Sequence, residues 1–134
     1  MALTSVLVAE DSRVSRAVMC ASLRSCGLEV FEAATGSEAL SVLLAKTPEL
    51  VILDALMPKG SGFVVITKLR QVAPSYRPVI FIVTAVYKSN RMKVEALSKY
   101  GVDEYLEKPL EHEDFVKAIA RHFPGFPARS AKQE

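Results

Sequence analysis

Glu10 and Asp11, Asp54, Thr84 and Lys108 each stand at or just past the end of a short apolar run: Val6 to Ala9, Leu50 to Leu53, Val79 to Val83 and Val102 to Leu106. Brought to one place, three carboxylates repel one another, and a cation among them is needed to make the cluster tolerable. Oxygen donors of this kind suit a hard divalent ion, and Mg²⁺ fits best. A lysine adds a compact positive charge and a threonine a hydroxyl, the two groups a phosphoryl oxygen needs as partners. The residue set therefore points to phosphoryl chemistry, provided that the fold delivers these side chains to one rim.

The elements between these positions can do so. After the first strand, Arg13 to Cys26 reads as an amphipathic helix, with Arg13, Arg16 and Arg24 on one side and Val14, Val18, Met19 and Cys26 on the other. Gly27 stops it, and Leu28 to Phe31 begins a second strand. Thr35 and Glu38 have capping-box spacing ahead of a helix from Gly36, which Pro48 breaks. Ser61 caps a third helix through Leu69, Met92 to Tyr100 forms a fourth that ends at Gly101, and Phe115 and Ile119 mark a fifth after Pro109. Strict alternation with nearly continuous apolar strands implies an α/β fold, a parallel sheet with helices on both faces. In such a sheet ligands gather beyond the carboxyl ends of the strands, where the five residues are expected to meet.

Composition removes other classes. Half of the 134 residues are apolar and 24% are charged, which excludes a disordered or fibrous chain, and one domain is expected. Lys plus Arg exceed Asp plus Glu by 17 to 15, so there is no general pull toward nucleic acid or an anionic membrane. No apolar run approaches the ~18 residues of a membrane span. The apolar start, Met1 to Val8, has no basic leader and runs into the acidic pair, so a cytoplasmic location is expected. Cys20 and Cys26 are expected as free thiols, with Cys20 on the arginine side and the first to react. His112 and His122 have no metal-ligand spacing and read as surface or packing residues, and the three arginines as a solvated face.

The acidic pair, Asp54 with Met57 and Pro58, Thr84 with Ala85, Tyr105, and Lys108 with Pro109 match in type and order the receiver domain of two-component response regulators, which the chain resembles over about residues 4 to 123. The remainder, 124–134, reads as a tail or the start of a linker. The resemblance implies a flavodoxin-like, doubly wound five-stranded sheet of order 2-1-3-4-5, and a phosphoacceptor rather than a classical enzyme. Asp54 would take a phosphoryl group from a histidine kinase, a phosphotransfer protein or a small acyl phosphate. Asp11, Asp54 and the backbone carbonyl of Leu56 would bind Mg²⁺, with Glu10 holding a metal water. Lys108 would pair with Asp54 and then with the phosphoryl group across a cis bond to Pro109. Thr84 would move toward the new dianion and Tyr105 would follow. The output surface would be the fourth helix, fifth strand and fifth helix, offered to an effector domain, a target protein or a second copy in a homodimer. Kinase partners of this family commonly dock on the first helix.

Some positions depart from the family's pattern. Leu56 and Val86, two residues past Asp54 and Thr84, are apolar where polar residues are common, so a long-lived phosphorylated form is expected. Tyr87 to Asn90 falls in a segment about two residues longer than usual. A phosphatase of the haloacid dehalogenase type would need a second carboxylate at Leu56, an FMN binder would need Ser, Thr and Gly where Glu10 to Arg13 stands, and a degenerate receiver would lack part of the acidic set.

Overall fold

The computed structural model describes residues 2–85 and 90–126, with side chains for all of these except 90–92. Ten elements alternate along the chain: β1 (Ser5–Ala9), α1 (Arg13–Arg24), β2 (Glu29–Ala33), α2 (Gly36–Lys46), β3 (Leu50–Asp54), α3 (Gly62–Val72), β4 (Val79–Thr84), α4 (Asn90–Ser98), β5 (Glu104–Glu107) and α5 (His112–His122). The strands form one parallel sheet in the order β2-β1-β3-β4-β5, the architecture expected from the sequence.

Alternation along the strands divides the core in two. Leu7, Val51, Leu53, Ile80, Ile82 and Tyr105 pack toward α2, α3 and α4. Val6, Val8, Leu50, Ile52, Phe81 and Val83 pack against Met19, Cys20 and Leu23 of α1 and Phe115, Ala118 and Ile119 of α5. Covering both faces explains why β1 and β3 are buried at every position.

The helix ends follow local chemistry. Ser12, Thr35 and Ser61 each accept a backbone N–H from three residues on, at 3.2, 3.1 and 3.3 Å. Glu38 completes a variant of the expected box: its carboxylate accepts the N–H of Ala34 at 2.8 Å, one residue before the cap. Gly27 and Gly101 stop their helices with φ of 82° and 64°, in the left-handed region that favours glycine.

The structure corrects the expected phase of α1. Its buried stripe is Met19, Cys20 and Leu23, while Val14 and Val18 are 74% and 59% exposed. The helix ends at Arg24, so Cys26 lies in the following turn, where helical spacing no longer governs its direction. Cys20 is 1% exposed, its thiol pKa pushed up mainly by burial, and Cys26 is half-buried. The expected order of reactivity is therefore reversed, and we expect a thiol reagent to label native Cys26 well ahead of Cys20. Nor are the arginines a bare solvated face: Arg16 and Arg24 both bond Glu32 of β2, at 3.1 Å each. These bonds, Arg24 first, hold the Glu32 carboxyl below its ordinary pKa.

Candidate functional site

Period-2 alternation also aims the site. Glu10 continues the row Val6, Val8; Asp54 continues Leu50, Ile52; Lys108 continues Leu106. All three extend the α1/α5 layer just beyond its apolar part. Thr84 continues the row Ile80, Ile82, which together with Tyr105 belongs to the other layer, beside α3 and α4. The rim is thus divided between a charged half over α1/α5 and a hydroxyl-bearing half over α3/α4.

Glu10, Asp11 and Asp54 bring carboxylate oxygens within 4.8 Å of one another. Glu10 is 1% exposed and Asp54 7%, whereas Asp11 faces solvent. Lys108 joins the two buried acids, its ammonium donating to Asp54 Oδ2 at 2.9 Å and to Glu10 Oε1. Burial works against the charged ammonium, but the bonds from Glu10 and Asp54 outweigh it and raise the Lys108 pKa above its ordinary value. The bond from Lys108 to Pro109 is cis, as expected.

Backbone holds Asp54 in place. The Leu56 N–H donates to Asp54 Oδ1 at 2.9 Å, leaving the Leu56 side chain 49% exposed at the rim. The start of α3 crowds the same strand end: a Cβ on Gly62 would fall 2.6 Å from the Asp54 carbonyl oxygen, so only glycine allows this approach. Thr84, on β4, is 1% exposed. Tyr105 is 8% exposed, and its hydroxyl has no hydrogen-bond partner in the structure; burial first and Glu107 second raise its pKa. An orphaned buried hydroxyl is costly, which marks this ring position as one that a rearrangement can improve.

Residues that the spacing argument missed surround Glu10. Ser12 N–H and Ser15 Oγ donate to its two carboxylate oxygens at 2.9 and 3.3 Å, and Arg16 donates to its carbonyl at 2.7 Å. Val86 and residues 87–89 of the long segment lie outside the described residues; Asn90, also placed there from the sequence, begins α4. The histidines do have partners: His112 Nδ1 is 2.6 Å from Ser22 Oγ, and His122 donates to Glu104 at 2.7 Å. The carboxylate beside His122 comes from 18 residues away, out of reach of local spacing.

Three oxygen-donor carboxylates, only two of them bonded by a lysine, fit a hard divalent cation such as Mg²⁺. The same rim sets the groups that phosphoryl chemistry needs side by side: the Asp54 carboxylate, an adjacent cation and a strand-end hydroxyl. A model of the response regulator receiver domain matches residues 6–120, and this chain belongs to that family. It is 36% identical over 107 residues to the KDP operon transcriptional regulatory protein KdpE of Escherichia coli, covering 80% of this chain and 45% of that protein. It is 34% identical over 117 residues to the transcriptional regulatory protein PdtaR of Mycobacterium tuberculosis, covering 85% and 54%. The chain thus spans about half the length of these relatives. Among solved structures, the chemotaxis protein CheY4 of Vibrio cholerae superposes with a TM-score of 0.80 at 28% identity, covering 90% of this chain and 98% of that one. The domain is therefore a two-component receiver with a flavodoxin-like fold. Among the described residues, no helix is long and apolar enough to cross a membrane.

Proposed function

We propose that this domain, residues 4–123, is a phosphorylation switch in which Asp54 is the phosphoacceptor. An Asp54 oxygen attacks phosphorus, forming a new P–O bond; the donor's P–N bond in phosphohistidine, or P–O bond in an acyl phosphate, breaks, and the leaving imidazole or carboxylate takes the electron pair. The observation that carries this reading is the Lys108 ammonium bridging Glu10 and Asp54, because it sets a mobile cation within reach of oxygens added to Asp54. Glu10, Asp11, Asp54 and the Leu56 carbonyl are the groups that would hold Mg²⁺, which when bound neutralises charge on the phosphoryl oxygens.

The division of the rim suggests the output. Phosphorylation adds charge to the α1/α5 half, Lys108 turns to it, and Thr84 follows from the other half. Space vacated by Thr84 lets Tyr105 move, which changes the surface of α4, β5 and α5. That surface would meet an effector domain, a target protein or a second copy. The donor, a histidine kinase or phosphotransfer protein of the cytoplasm, would dock on α1, where Val14 and Val18 are exposed and Val18 lines a cavity of about 400 Å³ that reaches Lys108 and Pro109.

The test is intact-mass analysis after incubation with acetyl phosphate and Mg²⁺. The parent should gain one phosphoryl mass and Asp54→Asn none. A parent that stays unmodified, or an Asp54→Asn protein that is modified, rejects the assignment.

A further inference from the structure

We propose that Ser15 is a positioning residue for Glu10, holding that carboxylate toward the site when Lys108 leaves it. The inference rests on the reading of the rim as a cation-dependent phosphoacceptor site.

Glu10, Ser12 and Ser15 form a closed ring of hydrogen bonds. The Ser12 N–H donates to Glu10 Oε2 at 2.9 Å, the Ser15 N–H donates to Ser12 Oγ at 3.2 Å, and the Ser15 hydroxyl donates to Glu10 Oε1 at 3.3 Å. The first turn of α1 is thereby built onto the side chain of a site acid. Glu10 is 1% exposed, so water cannot readily replace a lost partner.

The two oxygens of Glu10 are not equally served. Oε2 has a backbone donor that cannot leave without unwinding the start of α1. Oε1 has two donors, Lys108 and Ser15, and Lys108 is shared with Asp54. A divalent cation among Glu10, Asp11 and Asp54 repels the ammonium, and a phosphoryl group on Asp54 draws it away; both weaken the Lys108 bond to Oε1. Ser15 is then the donor that remains on that oxygen. Ser15 and Lys108 line one and the same cavity.

A role through helix propensity would give the opposite sign. Alanine is a better helix former than serine, so helix propensity does not suffer in Ser15→Ala, and any stability cost is that of the lost bond to Glu10, which melting reports separately. The proposed role instead demands weaker cation binding without unfolding.

The experiment is a calorimetric Mg²⁺ titration of the full chain, parent against Ser15→Ala and Ser15→Thr, with thermal melting as a control. Loss of one hydrogen bond to a buried charge predicts a Kd about fivefold higher for Ser15→Ala. Ser15→Thr keeps the hydroxyl and should bind within about twofold of the parent. Equal affinity of Ser15→Ala and the parent overturns the proposal, as does a Ser15→Thr protein that binds as weakly as Ser15→Ala. A parent that binds no Mg²⁺ overturns it too, together with the metal site. Labelling of the same proteins with acetyl phosphate separates the two readings. If Ser15→Ala shows the expected loss of Mg²⁺ affinity while the parent takes no phosphoryl group, the Ser15 role stands and the phosphoacceptor reading falls.

Discussion

The two ends of the sheet treat carboxylates in opposite ways. At the amino ends, Glu49 Oε1 accepts the N–H groups of Thr4 and Ser5 at 2.9 Å each and both hydroxyls, at 3.0 and 3.4 Å. Glu104, the first residue of β5, accepts two bonds from Arg121 at 3.0 Å and one from His122 at 2.7 Å. Asp103 accepts the Ile80 N–H at 2.8 Å, and the Tyr76 hydroxyl donates to the Pro48 carbonyl at 2.6 Å. Glu49, Asp103 and Glu104 thus have their donors in place. At the carboxyl ends, three acids cluster around one lysine that bonds only two of them, Glu10 and Asp54. The first arrangement ties the strands to the loops beneath them; the second leaves net negative charge at the rim. One end is built for stability and the other concentrates like charge, the cost that the proposed cation would relieve.

Substitutions that remove one carboxylate from each end should therefore have effects of opposite sign. Glu49→Gln takes an anionic acceptor from four donors on Thr4 and Ser5, where the chain enters β1, and we expect it to lower stability by about 2 kcal/mol. Asp11→Asn removes a like charge from the rim and should raise stability by up to about 1 kcal/mol, while weakening Mg²⁺ binding. Urea unfolding with a shared m-value checks both. A destabilised Asp11→Asn protein would mean that the rim is not strained by its charge.

The same contrast sets the pH response. For Glu49, burial raises the pKa, but the bonds from Thr4 and Ser5 outweigh it and the net shift is downward; for Glu104, the bond from Arg121 leads and His122 adds to the lowering. The folded state then binds fewer protons than the unfolded one near the ordinary carboxylate value of about 4.3. This stabilisation is complete above that value and is lost as pH falls through the lower folded values. Lys108 runs the other way: its raised pKa contributes below about 10.4 and is lost as pH rises above it. Melting temperatures from about pH 5 down to about pH 2 should fall less steeply in Glu49→Gln, already destabilised, than in the parent. Parallel curves would remove Glu49 from the account of acid unfolding.

These two ends were unequally readable in the sequence. Glu10, Asp54, Thr84 and Lys108 could be placed because each terminates an apolar run, and a parallel sheet puts all such ends on one side. The alternation of Val6, Val8 and Glu10 even carries the direction in which the side chain points. Glu49 looks like an ordinary charge between Pro48 and a strand, because its donors lie 44 and 45 residues away. Val14 and Val18 satisfy helical spacing, yet the sheet covers only the stripe through Met19, Cys20 and Leu23. Periodicity gives the existence of an apolar face, and tertiary packing selects its phase. Ser15 carried no signal, since a serine in a first helical turn is common and only the folded position of Glu10 gives it a partner.

The smallest effect we expect concerns the lifetime of phosphorylated Asp54, and it lies at the edge of the rim. Hydrolysis needs a water in line with the bond between Asp54 and phosphorus. The Leu56 N–H is bonded to Asp54 Oδ1, so the residue at this position is held beside the proposed phosphoacceptor, and its side chain is 49% exposed at the rim. A leucine there offers water no hydrogen bond, whereas an asparagine of similar size offers both a donor and an acceptor. If oriented water lowers the barrier by about 1 kcal/mol, Leu56→Asn should lose its phosphoryl group about fivefold faster than the parent at fixed Mg²⁺. Decay can be followed by intact mass after removal of acetyl phosphate. Because Leu56 is exposed, the substitution should leave thermal stability within about 0.5 kcal/mol, so a change in lifetime would not reflect loosening of the fold. Equal decay rates would show that apolar crowding at Leu56 does not limit water, and would leave the charge of Lys108 and the bound ion as the terms that set the rate.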